Sequence, residues 1–146
     1  MKTRILVVMA IVVASVLAVD SGANAQGQKE WTTNVPFAFQ AGDATLSPGK
    51  YTIRVVNPSS DRTALQLRSE DGRSVAIVQA SAVSGKKREN AMVVFHRYGD
   101  RYFFSAIKLA GEEGNLAVTR SNSERMLQRE IAGNAGQDVL VALKAR

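Results

Sequence analysis

Apolar and polar residues alternate along most of this chain from Trp31 onward. Successive side chains of a β-strand point to opposite faces of a sheet, so a period of two predicts strands with one buried face. Tyr51 to Val55 shows the pattern most plainly, with an apolar residue at every second position. The pattern predicts about seven strands, in residues 31–40, 51–55, 65–68, 74–83, 92–98, 101–109 and 138–144.

Proline and glycine place the strand ends and the turns. Pro36 has no N–H to give to a neighbouring strand, so the first strand should lie at a sheet edge or carry a bulge. Gly72 and the pair Gly99-Asp100 suit tight hairpin turns, because glycine takes a positive φ at little steric cost. The polar and basic segment 84–90 would form the tip of a further hairpin.

The period changes to that of a helix near residues 121–132. Ser121 and Glu124 form a capping box, in which each side chain satisfies the other residue's free backbone amide. Apolar and polar residues at helical spacing then fall on one face, and Gly133 is a suitable stop. The residues of that face are Met126, Leu127, Glu130 and Ile131.

These elements define the predicted fold class. Several short strands with turns between them and a single helix predict an all-β protein, since a sheet with one apolar face must bury it against another sheet or against itself. We therefore expect a small antiparallel β-barrel or β-sandwich of about seven strands, with the helix before the last strand.

Residues 1–25 have the three-part layout of a secretory signal peptide. Two basic residues precede an apolar run, Ile5 to Val19, and small residues then lead to Ala23-Asn24-Ala25. The apolar run is shorter than the about 20 residues that span a bilayer. We expect cleavage after Ala25, a single mature β-domain at 26–146 without a transmembrane segment, and export to the periplasm or the medium.

Composition narrows the classes of partner and chemistry. The chain has no cysteine, which excludes disulfides, thiol catalysis and a lipoprotein anchor. Its formal net charge is +6, spread along the sequence, which favours anionic envelope components such as lipid headgroups. Nucleic acid is not expected as a partner, because the basic residues form no concentrated face.

The richest segment is the hairpin predicted over residues 92–109. A two-residue loop at Gly99-Asp100 fixes its register, so that Arg97 lies opposite Tyr102 and Tyr98 opposite Arg101. Both pairs would be cation–π contacts near the turn. Regular alternation beyond them places Ala106 on the face of Phe104, and Ile107 on the other face.

This hairpin has two interpretations. One is structural: a central hairpin covered on both faces, with amphipathic residues at its solvent end. The other is an aromatic-lined cavity for an amphiphilic small molecule with an acidic head. The residues that would bind it are Arg97, Tyr98, Arg101 and Tyr102.

Four segments carry a resemblance that covers nearly the whole of residues 26–146. They are Val35-Pro36-Phe37-Ala38-Phe39, Leu46-Ser47-Pro48-Gly49-Lys50-Tyr51-Thr52, Arg68-Ser69-Glu70-Asp71-Gly72 and Phe95-His96-Arg97-Tyr98-Gly99-Asp100-Arg101-Tyr102-Phe103. With these segments the chain resembles a family of small uncharacterised exported bacterial β-proteins. The resemblance implies an all-β fold and brings no activity, substrate or site residue.

Sequence motifs of enzymes and metal sites are not found. His96 is the only histidine, and no Gly-x-Ser-x-Gly elbow accompanies it, so we interpret it as a satisfied or half-exposed histidine rather than as a triad base. We expect no catalytic residues, no metal and no cofactor. Lys86-Lys87-Arg88 is the densest basic cluster, interpreted as a solubilising surface or, alternatively, as a contact for an anionic surface.

Three functions fit these observations. The favoured hypothesis is an exported, non-enzymatic cell-envelope protein that acts by surface contact or assembly. The alternative is a lipocalin-like carrier with a hydrophobic or amphiphilic ligand inside a β-barrel. The third is an enzyme whose site is assembled from scattered polar residues.

Overall fold

The computed structural model describes residues 29–57, 62–111, 114–131 and 136–146. The predicted signal peptide and Gly133 lie outside these ranges. Within them, the strands are β1 Glu30–Val35, β2 Phe39–Ala41, β3 Ala44–Leu46, β4 Gly49–Val55, β5 Thr63–Ser69, β6 Val75–Ser84, β7 Met92–Tyr98, β8 Arg101–Lys108, β9 Gly114–Val118 and β10 Gln137–Ala145; the helix is α1 Asn122–Glu130.

Eight of these strands close into an antiparallel barrel. Around the ring the order is β1, β4, β5, β6, β9, β8, β7 and β10, and β10 pairs with β1 again. The predicted all-β fold is confirmed, and of the two architectures it is the barrel that forms. α1 precedes the last strand, as predicted.

A short hairpin, β2–β3, lies beside the ring. β2 pairs with the first half of β8 at Gln40 and Phe103, whereas β9 pairs with the second half of β8 from Ala106 onward. Gly42 in the hairpin turn also lies close to Val78 of β6. The hairpin thus fills the space between β6 and β8 where β9 does not reach.

The prediction of an edge or bulge at Pro36 is wrong. β1 ends at Val35 and is paired on both sides, with β4 and with β10. Pro36 lies between β1 and β2, where its missing N–H leaves no ladder bond unmade. The proline therefore ends a central strand instead of protecting an edge.

Aromatic rings fill a large part of the barrel interior. Phe95 lies at its centre, with ring centroids 5.1 Å from Phe37, 5.1 Å from Phe39 and 6.0 Å from Phe104. Phe39 also meets Tyr51 edge to face at 5.3 Å. An eight-stranded barrel is just wide enough for side chains to fill, and here these rings share the interior with Val, Ile, Leu and Ala side chains.

The β7–β8 hairpin has the predicted register, from His96 opposite Phe103 to Tyr98 opposite Arg101. The register shifts further along, however, because Phe95 pairs with Phe104 while Val94 pairs with Ala106. Ser105 is left without a partner residue on β7, which makes it the extra residue of a β-bulge. As a result Ile107 turns into the core at 0% exposure, and the predicted faces of Ala106 and Ile107 are wrong.

The helix begins as predicted, but only part of the predicted face is covered: Leu127 and Ile131 are half-buried, whereas Met126 and Glu130 are exposed. The Ser121 side chain accepts a hydrogen bond from the Glu124 backbone amide at 3.1 Å, as a capping residue should. Met126 of the predicted face is 61% exposed, whereas Glu124 is 2% exposed. At nine residues and largely polar, α1 falls well short of a bilayer-crossing helix, and no other helix of the described residues qualifies.

Candidate functional site

The four residues of the predicted ligand site do not gather around one centre. Arg97 is exposed at the turn end of the hairpin, its Cζ 5.7 Å from the centroid of the Tyr102 ring. Tyr102 stacks in turn on Phe37 at 3.9 Å. The predicted Arg97–Tyr102 contact is therefore present, as part of a stack at the end of the barrel.

The other two residues lie on the outer side of the hairpin. Tyr98 is buried at 6% exposure and its hydroxyl donates a hydrogen bond to Glu124. Arg101 lies over the Phe103 ring at 5.6 Å, so the predicted contact between Arg101 and Tyr98 is replaced by one with an aromatic residue two positions further along β8.

The basic cluster Lys86-Lys87-Arg88 lies between β6 and β7. Those two strands are separated in the barrel by β9 and β8, so the segment is not the tip of a hairpin, as predicted, but a connection across the barrel end. Lys86 and Lys87 are exposed, whereas Arg88 is half-buried and its carbonyl accepts from the Gly111 amide at 2.8 Å.

A broad polar groove of about 570 Å³ crosses the outer face of β1, β4 and β5. Its carboxylates are each held by a nearby cation: Glu70 by Lys50 at 3.1 Å and Glu30 by Arg146 at 3.0 Å. Asp71 lies beyond them, 3.9 Å from Arg73. A hydrogen bond from the Ser69 hydroxyl lowers the pKa of Asp71, so this carboxylate stays ionised.

Two guanidinium groups in this groove are not matched by a carboxylate of the described residues. Arg54 donates from Nε to the neutral amide of Gln66 at 2.6 Å. Arg68 lies opposite Thr52 and next to Gly72. Since Arg54 pairs with Gln66 and Arg68 is two residues further along β5, the two side chains are diagonal neighbours on one face, with Cβ atoms roughly 7 Å apart. The groove therefore carries a net positive charge.

The strand next to the groove exposes aliphatic side chains. The outer positions of β6 include Val75 at 47%, Ile77 at 59% and Val83 at 42% exposure. Register places Val75 directly opposite Arg68, and Ile77 opposite Gln66. We call Arg54, Arg68, Val75, Ile77 and Val83 the outer β4–β6 surface. It combines cations and apolar groups on one side of the barrel.

A second cluster lies on the outer side of the β7–β8 hairpin, at α1. His96 Nδ1 is 2.7 Å from Oε1 of Glu124, and His96 Nε2 is 2.8 Å from Oγ of Ser105. The Tyr98 hydroxyl donates to the same Glu124 oxygen at 3.2 Å. Arg120 Nε lies 3.8 Å from that oxygen, and Asp138 Oδ1 lies 3.7 Å from His96 Nε2. The cluster therefore joins β7, β8, β10 and the start of α1.

The electrostatics of the cluster follow from the burial of Glu124. Its side chain is 3% exposed and that of His96 is 19% exposed. Burial, followed by the charge of Glu124 and the hydrogen bond to it, raises the pKa of Tyr98 above its ordinary value. The phenol therefore stays protonated as a donor to the carboxylate. No group of three His, Asp or Glu residues that could hold a metal ion occurs among the described residues.

Sequence reasoning found His96 and Glu124 separately and missed Ser105. Glu124 was assigned to the capping box, where its carboxylate would reach back to the N-cap amide, but Oε1 turns to His96 instead. Ser105 sits on a bulge, and regular alternation carries no sign of one. The sequence marks Arg54 and Arg68 only as polar positions of two strands, and gives no sign that they lie side by side.

Comparisons with known proteins add no relative. A scan against family models finds no match, and searches of curated proteins and of solved structures find none either. The resemblance to exported bacterial β-proteins stays a prediction, and function has to be inferred from the geometry of this chain.

Proposed function

We propose that this protein is an exported, non-enzymatic β-barrel of the cell envelope, periplasmic or extracellular, that contacts an anionic lipid surface. The observation that supports this most is the outer β4–β6 surface, in which two guanidinium groups without a carboxylate partner among the described residues adjoin exposed aliphatic side chains. Cations favour anionic headgroups, and aliphatic groups enter the boundary between headgroups and acyl chains.

The charges of the groove support an anionic partner. The carboxylates of Glu70 and Glu30 are held by Lys50 and Arg146, which leaves Arg54 and Arg68 against the single carboxylate of Asp71 within the groove. Arg54 is oriented by the Gln66 amide, so less side-chain freedom is lost when an anion binds. Planar guanidinium groups suit phosphate oxygens, which they bind through two N–H donors.

The aliphatic side chains favour a lipid surface over an anionic polysaccharide. Val75, Ile77 and Val83 follow the outer side of β6, and the exposed Lys86 and Lys87 come just after that strand. A polysaccharide would leave the aliphatic groups in water, whereas a bilayer boundary removes them from it. The predicted basic cluster thus comes just after the end of β6 that carries Val83.

The carrier hypothesis has the same fold but less support. A carrier needs space inside the barrel, and Phe37, Phe39, Phe95 and Phe104 make ring contacts across that interior. The surface is therefore the better candidate for binding.

Vesicle sedimentation tests the proposal. Vesicles of phosphatidylglycerol and phosphatidylcholine should pull down the protein, pure phosphatidylcholine should not, and binding should weaken as salt rises. Removing both surface cations, in Arg54→Gln/Arg68→Gln, should cost about 2 kcal/mol, or about 30-fold in partitioning, at about 1 kcal/mol per cation.

A charge-matched control separates a specific surface from net charge. Arg101→Gln/Arg129→Gln removes two exposed cations elsewhere and should lower binding much less, while Ile77→Ser should lower it at unchanged charge. Equal losses in the two double variants, or equal binding to neutral vesicles, would contradict the proposed surface. A ligand found inside the purified barrel would support the carrier instead.

A further inference from the structure

The cluster at α1, which contains His96, Ser105 and Glu124, has no part in the proposed contact with a lipid surface. Ser105, His96 and Glu124 form a continuous chain of hydrogen bonds, with 2.8 Å between Oγ and Nε2 and 2.7 Å between Nδ1 and Oε1. A hydroxyl, an imidazole and a carboxylate in this order are the arrangement in which a serine becomes a nucleophile. None of the three residues lines the polar groove.

We propose that Ser105 is a nucleophile activated by His96, and that it accepts an acyl group from an activated ester. Hydrogen bonding sets the imidazole tautomer. Beside an accepting carboxylate oxygen, the neutral ring places its proton on Nδ1, which leaves Nε2 as the acceptor that faces the Ser105 O–H. This is the tautomer that a general base requires.

The fold holds each member of the chain in place. The bulge at Ser105 breaks the alternation of β8, and bulges often re-aim a side chain in this way. The N-cap at Ser121 fixes the first turn of α1 and with it Glu124, whose Oε1 is further held by the Tyr98 hydroxyl. Ser105 and His96 are both half-exposed, so a small ester can reach them from solvent.

The chemical step is an acyl transfer. Oγ of Ser105 forms a bond to the ester carbonyl carbon while its proton passes to Nε2 of His96. The bond from that carbon to the leaving oxygen then breaks, and Nε2 returns the proton to the leaving group. The products are an ester on Ser105 and an alcohol or phenol, with no other reactant consumed. Glu124 acts as a positioning residue for the imidazole.

Acetylation by p-nitrophenyl acetate tests this. Intact mass and peptide mapping of the full chain should show one acetyl group on Ser105. Ser105→Ala should abolish that label, whereas Ser81→Ala, which changes an exposed serine of β6, should leave it unchanged. His96→Asn and Glu124→Gln should each slow acetylation by about 100-fold or more, the usual contribution of a positioned general base.

Two cysteine variants test the same base with a nucleophile more reactive than a serine hydroxyl. Since the chain has no cysteine, Ser105→Cys and Ser81→Cys each place a single thiol. Because the His96 imidazole would stabilise a thiolate at position 105, iodoacetamide should react with the thiol there at lower pH than with the thiol at position 81. Glu124→Gln should shift that pH profile, which a purely structural role of the carboxylate would not do.

The outcomes separate this inference from the proposed function. Labelling confined to lysines, or identical pH profiles for the two thiols, would overturn the nucleophile and leave the lipid contact untouched. One acetyl group per chain on Ser105 supports it. Release of more than one nitrophenol per chain, lost in Ser105→Ala, also supports it and would contradict the non-enzymatic part of the proposed function.

Discussion

At the scale of residues, Glu124 shows how this fold treats a buried charge. The carboxylate lies at 2% exposure, where an unpaired charge would be costly. Two donors, His96 Nδ1 and the Tyr98 hydroxyl, reach its Oε1, and Arg120 lies 3.8 Å away. Gly136 packs so closely on the Tyr98 ring that an added Cβ would lie 2.8 Å from it. The packing of Gly136 on the ring and the hydrogen bond to Glu124 thus hold the phenol in place together.

Tyr98 gives a prediction about alkaline stability. Its folded pKa is raised above the ordinary 10.0, first by burial and then by Glu124. The neutral phenol therefore contributes stability below pH 10 that is lost as the pH rises through the folded pKa. Urea unfolding, followed by the fluorescence of the single tryptophan, buried Trp31, should show a steeper loss above pH 10 in the wild type than in Tyr98→Phe. The pKa of Tyr51 is also raised, but Tyr51 is present in both proteins, so it does not affect the difference between their stability curves. Parallel curves would contradict the interpretation.

At the scale of elements, the bulge in β8 decides which side chains enter the barrel. Phe104 and Ile107 both point inward at 3% and 0% exposure, although residues three positions apart on a regular strand face opposite sides. Ser105 and Ala106 lie between them, both half-exposed. One extra residue therefore supplies the core with Ile107 and the outer face with a hydroxyl.

Substitutions on the two sides of β8 test this register. Ile107→Ala should cost about 2–5 kcal/mol of unfolding free energy, since it leaves a cavity in the core. Ala106→Ser should change stability by no more than about 0.5 kcal/mol, as outer substitutions usually do. Chemical denaturation of both variants measures the difference. The reverse order would mean that β8 alternates without a bulge.

At the scale of the whole molecule, ring closure and aromatic packing hold together a protein that has no disulfide. The β8–β9 pairing closes the eight-stranded ring, so each strand of the ring has a partner on both sides and presents no open edge for association. Phe95, at 0% exposure, contacts rings from β2, from β8 and from the segment between β1 and β2. A single side chain thus connects distant parts of the chain.

Phe95 should accordingly be the most sensitive of these positions. Phe95→Ala should destabilise the barrel by about 3–5 kcal/mol, and the loss should appear in one cooperative unfolding transition, because the contacts lie in one core. Phe37→Ala, whose ring is only partly buried, is the matched control and should cost less. Equal losses would contradict a core centred on Phe95.

Much of the local structure was predictable, because it depends on neighbours in sequence. The alternation of apolar residues gave most of the strands, and Gly99-Asp100 fixed the hairpin register. The Ser121 cap marked the start of α1. Three short strands were not resolved by the pattern: β2 and β3 span three residues each, and β9 is half-buried along its whole length without alternation.

The sequence by itself determined an all-β chain with one capped helix, since side-chain period and turn chemistry act over a few residues. Only the tertiary structure decided that the sheet closes into a barrel, that β8 bulges at Ser105, and that Glu124 turns to His96 instead of to its own helix cap. Each of these depends on contacts between residues far apart in the chain, such as Glu124 with His96 or Ala106 with Ala117. The candidate sites belong to this second group, because side chains from separate strands meet only when the ring closes.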